Sequence, residues 1–195
     1  MTPTMIVLAG PNGAGKSTLY ETRIAPGFAG PFINADIIQR DELCDPSPAA
    51  SYEAARIASL RRADYLARER DFVTETVFSH ASKLDLIEEA RARGFTVIVM
   101  HIGVDTPELS VARVGARVAE GGHVVPEDKI RARYERGAPF IRAGILKADR
   151  GMVFDNSSLN KPPSHCLTFS SGRLVFAEPR LPAWIKSVYE TDLEI

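Results

Sequence analysis

The chain has 195 residues, 45% of them hydrophobic, with 24 Lys plus Arg against 25 Asp plus Glu and a formal net charge of -1. That length favours a single domain spanning 1–195, with a core over about 4–157 and a C-terminal piece over about 164–195. Balanced charge argues against a broad nucleic-acid surface, no apolar run is long enough to cross a bilayer, and Cys44 and Cys166 sit in no metal-ligand spacing, so we expect a soluble, cytoplasmic protein with no nucleic-acid or membrane partner and with buried or inert thiols.

The apolar run Met5-Ile6-Val7-Leu8-Ala9 reads as a first strand, and it leads straight into Gly10-Pro11-Asn12-Gly13-Ala14-Gly15-Lys16-Ser17 and then Thr18-Leu19-Tyr20. G-x-x-x-x-G-K-[ST] between a strand and a helix start is the phosphate-binding P-loop in its confirming context. Its glycines permit backbone turns that aim successive N–H groups at a polyphosphate, and the following helix adds its positive dipole end. Lys16 suits the β- and γ-phosphates, the Ser17 hydroxyl suits a Mg²⁺ ion, and Thr18 suits the α-phosphate.

Downstream, Pro31-Phe32-Ile33-Asn34 reads as a short second strand ending at Asn34-Ala35-Asp36. Ser47-Pro48 opens a long helix to about Arg70. Phe72-Val73-Thr74 is a third strand that delivers Glu75 at its end, followed by a helix from Ser82 to Arg93 that Gly94 closes. The continuous apolar run from Phe95 to Ile102 predicts a central parallel strand. Asp105-Thr106-Pro107-Glu108 reads as a capping box for a helix to about Ala119. Gly121-Gly122-His123 is a loop, Pro126-Glu127-Asp128 starts a helix to about Lys147, and Met152-Val153-Phe154 is a fifth strand ending at Asp155. Cys166–Phe169 and Leu174–Ala177 read as a hairpin turned at Ser171-Gly172, with a short helix from Leu181. Alternating strands and helices predict a three-layer α/β P-loop fold: a mainly parallel five-stranded sheet with a small C-terminal β-hairpin.

Ligands of such sheets sit outside the carboxyl ends of the strands, which singles out the P-loop, Asp36, Glu75, Asp105 and Asp155. The chain lacks the base-reading and switch motifs of a GTPase and the signature of an ABC-type ATPase, which leaves a small phosphotransferase. Arg113 and Arg117, four apart on one helix face, suit adenine stacking and charge neutralisation, while the roles of Arg131, Arg133 and Arg136 stay open. Transfer to an alcohol needs a carboxylate that takes the hydroxyl proton, and Asp36 is the candidate, against a competing role as a helix cap. Glu75 is placed to bond a substrate hydroxyl or a Mg²⁺-bound water.

These residues resemble the zeta toxin family of P-loop kinases from Ile6 to about Ser157. The resemblance rests on Gly10 to Ser17, Asn34-Ala35-Asp36, Glu75-Thr76, Arg117, Gly121-Gly122-His123-Val124-Val125-Pro126 and Phe154-Asp155-Asn156-Ser157. It implies an ATP- and Mg²⁺-dependent kinase in which Asp36 is the base and Lys16 and Arg117 stabilise the moving phosphoryl group. Glu75 and Thr76 would hold a small-molecule hydroxyl acceptor. It further implies UDP-N-acetylglucosamine or a related sugar nucleotide as acceptor and an antitoxin protein as partner. Val77, Phe78 and Ser79 stand where the larger toxins carry polar or basic substrate contacts, and His123 where they carry an arginine, so Ser79 and His123 are the substrate-side candidates here. The alternatives are an ATP-binding regulatory module that phosphorylates nothing, and a kinase for an antibiotic or a nucleotide cofactor.

Overall fold

The computed structural model describes residues 2–119 and 125–193, so the His123 loop lies outside the described residues. Strand β1 (Thr4–Ala9) is flanked by β3 (Phe72–Thr76) and β4 (Thr96–Gly103), with β2 (Phe32–Ile33) beyond β3 and β5 (Arg150–Asp155) beyond β4. All four pairings among these five strands are parallel. The C-terminal hairpin, β6 (Ser164–Ser170) and β7 (Arg173–Ala177), does not stand apart as expected: β6 pairs antiparallel with β5, making one sheet of seven strands in the order β2-β3-β1-β4-β5-β6-β7. The five-strand expectation is thereby corrected. The physical reason is that β5 would otherwise expose an unpaired edge of N–H and C=O groups.

Period-two alternation along β1 feeds two cores. Met5, Val7 and Ala9 point to the larger one, shared with α3 (Pro48–Ala67), α4 (Ser82–Ala92) and α6 (Glu127–Lys147) and closed by α7 (Ala183–Val188). Ile6 and Leu8 point to the other, shared with Leu19 at the end of α1 (Lys16–Leu19) and with Ile24 in the π-helical turn Tyr20–Ile24 that extends it. Helices on both faces of a parallel sheet give the three layers expected. A short α2 (Ala35–Ile37), continued by a second π-helical turn at Ile38–Leu43, follows β2, α5 (Pro107–Ala119) follows β4, and α8 (Glu190–Leu193) follows α7. Thr106, rather than Asp105, caps α5, accepting from Leu109 N at 3.2 Å. Of the two thiols expected to be buried or inert, Cys166 is buried and Cys44 is exposed.

The larger core holds a polar pair. His101 on β4 and Tyr189, which joins α7 to α8, are both buried, and their Nδ1 and hydroxyl share a 2.8 Å hydrogen bond. Burial pushes the imidazole down to about 3 and the phenol well above its ordinary value. Unfolded chains take up a proton at His101 near pH 6.5 and the folded chain does not until about pH 3, so over that window acid favours the unfolded state. Stability is therefore expected to fall by about 1.4 kcal/mol per pH unit from this group as pH drops below 6.5. Urea melts of the wild type and His101→Gln across pH 3.5–6.5 measure it: the variant should show a shallower slope by about one proton.

Candidate active site

The P-loop takes its shape from where β1 ends. A Cβ on Gly10 would stand 2.0 Å from the Ile102 carbonyl oxygen of β4, so only glycine lets the loop leave the sheet here. Gly13 (φ 73°) and Gly15 (φ 90°) adopt left-handed backbone, and Gly15 starts α1. The Asn156 amide donates to Ala14 O at 2.9 Å and bears on Gly15, so the residue after β5 braces the loop from the far side of β4.

The Lys16 ammonium folds back onto the carbonyls of Gly10 and Pro11, at 3.0 and 2.9 Å, and lies 3.5 Å from Glu75 Oε1. Parallel register places Leu8 beside Glu75 and Ala9 beside Thr76, which is why this acid meets the P-loop. Its other oxygen accepts from the Ser17 hydroxyl and from the Asn34 amide, each at 2.9 Å. Asn34 also caps α2, its Oδ1 accepting from Asp36 N at 2.8 Å and Ile37 N at 3.4 Å. The capping duty that competed for Asp36 thus falls to Asn34. Because Asn34 serves both as a cap and as a support for Glu75, Asn34→Ala should lower stability by about 1–2 kcal/mol, read in a denaturant melt.

Asp36, exposed in the first turn of α2, lines a cleft of about 1430 Å³. Asn12, Gly13, Gly15, Lys16, Ser17 and Thr18 line it too, as do Glu75, Thr76, Ser79, Arg113 and Arg117. Gly10, Pro11 and Ala14 do not face this cleft: they act through their backbone, Pro11 lining a separate 260 Å³ pocket beside Trp184. Asp155 is likewise structural, accepting from the Trp184 indole at 2.8 Å and from Ser157 Oγ.

Gly13, Gly15, the Lys16 ammonium and the Ser17 hydroxyl thus line one cleft with the Asp36 carboxylate, which has no ion pair among the described residues. Over residues 1–160 the chain matches the family model described as Zeta toxin. The chain belongs to the zeta toxin family.

An uncharacterized protein of Haemophilus influenzae is 30% identical to this zeta toxin family member over 138 residues, 66% of this chain and 91% of the relative. The structure of the AvrRxo1-ORF1:-ORF2 complex matches 98% of this chain with a TM-score of 0.72 at 16% identity, and this chain spans 63% of its length. The same complex with ATP matches with a TM-score of 0.70. A structure from the PezAT chromosomal toxin-antitoxin system of Streptococcus pneumoniae matches 98% of this chain and 84% of its own with a TM-score of 0.62 at 12% identity. These structural likenesses show the fold.

The structure also sorts the arginines of α6. Arg131 pairs with Glu108 and Glu127 on the surface, and Arg136 bonds the Ala132 carbonyl, but Arg133 faces the cleft and donates to Asn12 Oδ1 at 3.3 Å. Sequence reasoning left Arg133 level with its neighbours and passed over Asn34, Asn156, Arg62 and Lys83. The first two stood inside motifs already noted; nothing local marked the other two.

Proposed function

We propose that this zeta toxin family member transfers the γ-phosphoryl group of ATP to a hydroxyl of a small molecule. The observation that carries the reading is Asp36: its carboxylate has neither a cap nor an ion pair among the described residues and shares one cleft with Lys16 and Ser17. In this reading the P-loop N–H groups cradle the phosphates, and Lys16 leaves the Gly10 and Pro11 carbonyls to bond the β- and γ-oxygens. Arg113 lies by the adenine, and Arg117 neutralises charge on the moving group. Asp36 accepts the acceptor's proton and aims its oxygen in line, while Thr76 and Ser79 contact the acceptor, with His123 as a further candidate.

Ser17 Oγ and Glu75 Oε2, 2.9 Å apart, are hard oxygen donors of the kind Mg²⁺ takes, with phosphate and water completing its shell. Bound there, the ion would neutralise charge between the β- and γ-phosphates.

Purified protein with ATP, Mg²⁺ and a panel of sugar nucleotides, UDP-N-acetylglucosamine among them, other nucleotides and simple alcohols tests the reading. Acceptor-dependent ADP release with a phosphorylated product is expected; release that ignores every acceptor would refute it. A second reading, a nucleotide-sensing module, draws on Phe78, whose ring is buried in the core beside the cleft instead of offering a polar contact. ATP binding that changes affinity for an antitoxin-type partner, with no transfer to any acceptor, would favour it.

A further inference from the structure

The cleft has a second end, away from the P-loop. It is bounded by α3 through Tyr52, Ala55, Ala58 and Arg62, and by α4 and the turn before it through Ser79, Lys83 and Leu86. Arg62 and Lys83 are half-buried there, and neither forms an ion pair among the described residues. Their neighbours differ. On α3, Arg56 pairs with Glu53, and Arg61, adjacent to Arg62, pairs with Glu42; Arg68, just past its end, pairs with Asp64.

Two half-buried cations that line one cleft, with no ion pair among the described residues, are costly. Burial pushes both below their ordinary values, and the Arg62 charge lowers Lys83 further. Packing alone would favour an apolar side chain or an acid partner at one of these positions. An anion brought in by a ligand would remove the cost, and a guanidinium beside an ammonium matches the oxygens of a phosphate or carboxylate.

We propose that Arg62 and Lys83 form an anion seat at the acceptor end of the cleft, so that the alcohol taken by this protein carries a phosphate or carboxylate group set back from its reacting hydroxyl. The proposal rests on the kinase reading for the direction in which the acceptor lies. It adds a selection rule. Neutral alcohols leave the two cations unpaired and are disfavoured, whatever contacts they make near Asp36.

The test uses the full chain saturated with Mg²⁺ and a non-hydrolysable ATP analogue, so that the P-loop is filled. Glycerol, glycerate and glycerol 3-phosphate, one skeleton with no charge, a carboxylate or a phosphate, are titrated in turn by calorimetry. Saturable binding of at least one anionic probe and none of glycerol is expected, and the preferred probe tells carboxylate from phosphate. Arg62→Gln and Lys83→Gln should each weaken that binding about tenfold or more, and Arg56→Gln should leave it unchanged. Each cleft variant should also keep or raise the melting temperature, because it removes a desolvated like charge. No binding of either anionic probe, equal binding by the double variant, or a fall in melting temperature in both single variants would overturn the seat. Failure of the ATP analogue to bind would instead refute the nucleotide reading. The same titrations on unloaded Lys16→Ala protein would then still judge the seat.

Discussion

Asp36→Asn is expected to lower kcat by about 10²–10⁴-fold while leaving nucleotide affinity within about twofold of the wild type. The asymmetry follows from position. Asp36 lies on α2, across the cleft from the loop that would hold the phosphates, and its side chain has no hydrogen bond among the described residues that the amide would break. The cap of α2 belongs to Asn34, so the helix should survive the change and the variant should melt with the wild type. Single-turnover rates with a saturating acceptor, beside a nucleotide titration, separate the two effects. A variant that keeps its rate would remove Asp36 from the chemistry. One that loses nucleotide binding as well would make it part of the phosphate site.

Gly10→Ala is the second large effect, and it acts through shape. The added methyl would meet the Ile102 carbonyl oxygen at 2.0 Å, a backbone atom of a central strand that cannot swing aside. Either β1 and β4 part or the loop lifts from the sheet. The cost should be on the order of 3 kcal/mol, a fall of about 6–12 °C in melting temperature for a chain of this size. Because Lys16 rests on the Gly10 carbonyl, lifting the loop also displaces the ammonium, so nucleotide binding should fall by more than tenfold under conditions where the protein is still folded. Thermal melts with and without the nucleotide read both. An unaltered melting temperature would mean the loop tolerates the methyl.

The parts of the molecule legible in the sequence are those written in local chemistry. The glycine spacing after β1 pointed to the loop that the structure turns at Gly13 and Gly15, and the polar residues after β2 and at the end of β3 pointed to Asp36 and Glu75, which the structure brings to the same cleft because both lie at or just past the carboxyl ends of neighbouring strands. The helix caps were blurred by a residue or two, since Asn34 and Thr106 sit beside acids that cap equally well in isolation. Hidden entirely were the contributions of helices seen from the side. Arg61 and Arg62 are adjacent and chemically identical, and only the packing of α3 against the sheet turns one to Glu42 and the other into the cleft. Arg133 is separated from its paired neighbour Arg131 in the same way. Charge on a helix looks like a solvated face until the fold decides what lies opposite.

The C-terminal strands deserve the same reasoning in reverse. The family match ends at residue 160, yet β6 pairs with β5 and Tyr189 is locked against His101 beneath the central strands. Trimming the gene to the matched segment would therefore strip a sheet of its border and remove the hydroxyl that bonds His101 Nδ1, opening the core beside it to water. The tail behaves as a keystone, and a shortened product should be recovered as aggregate.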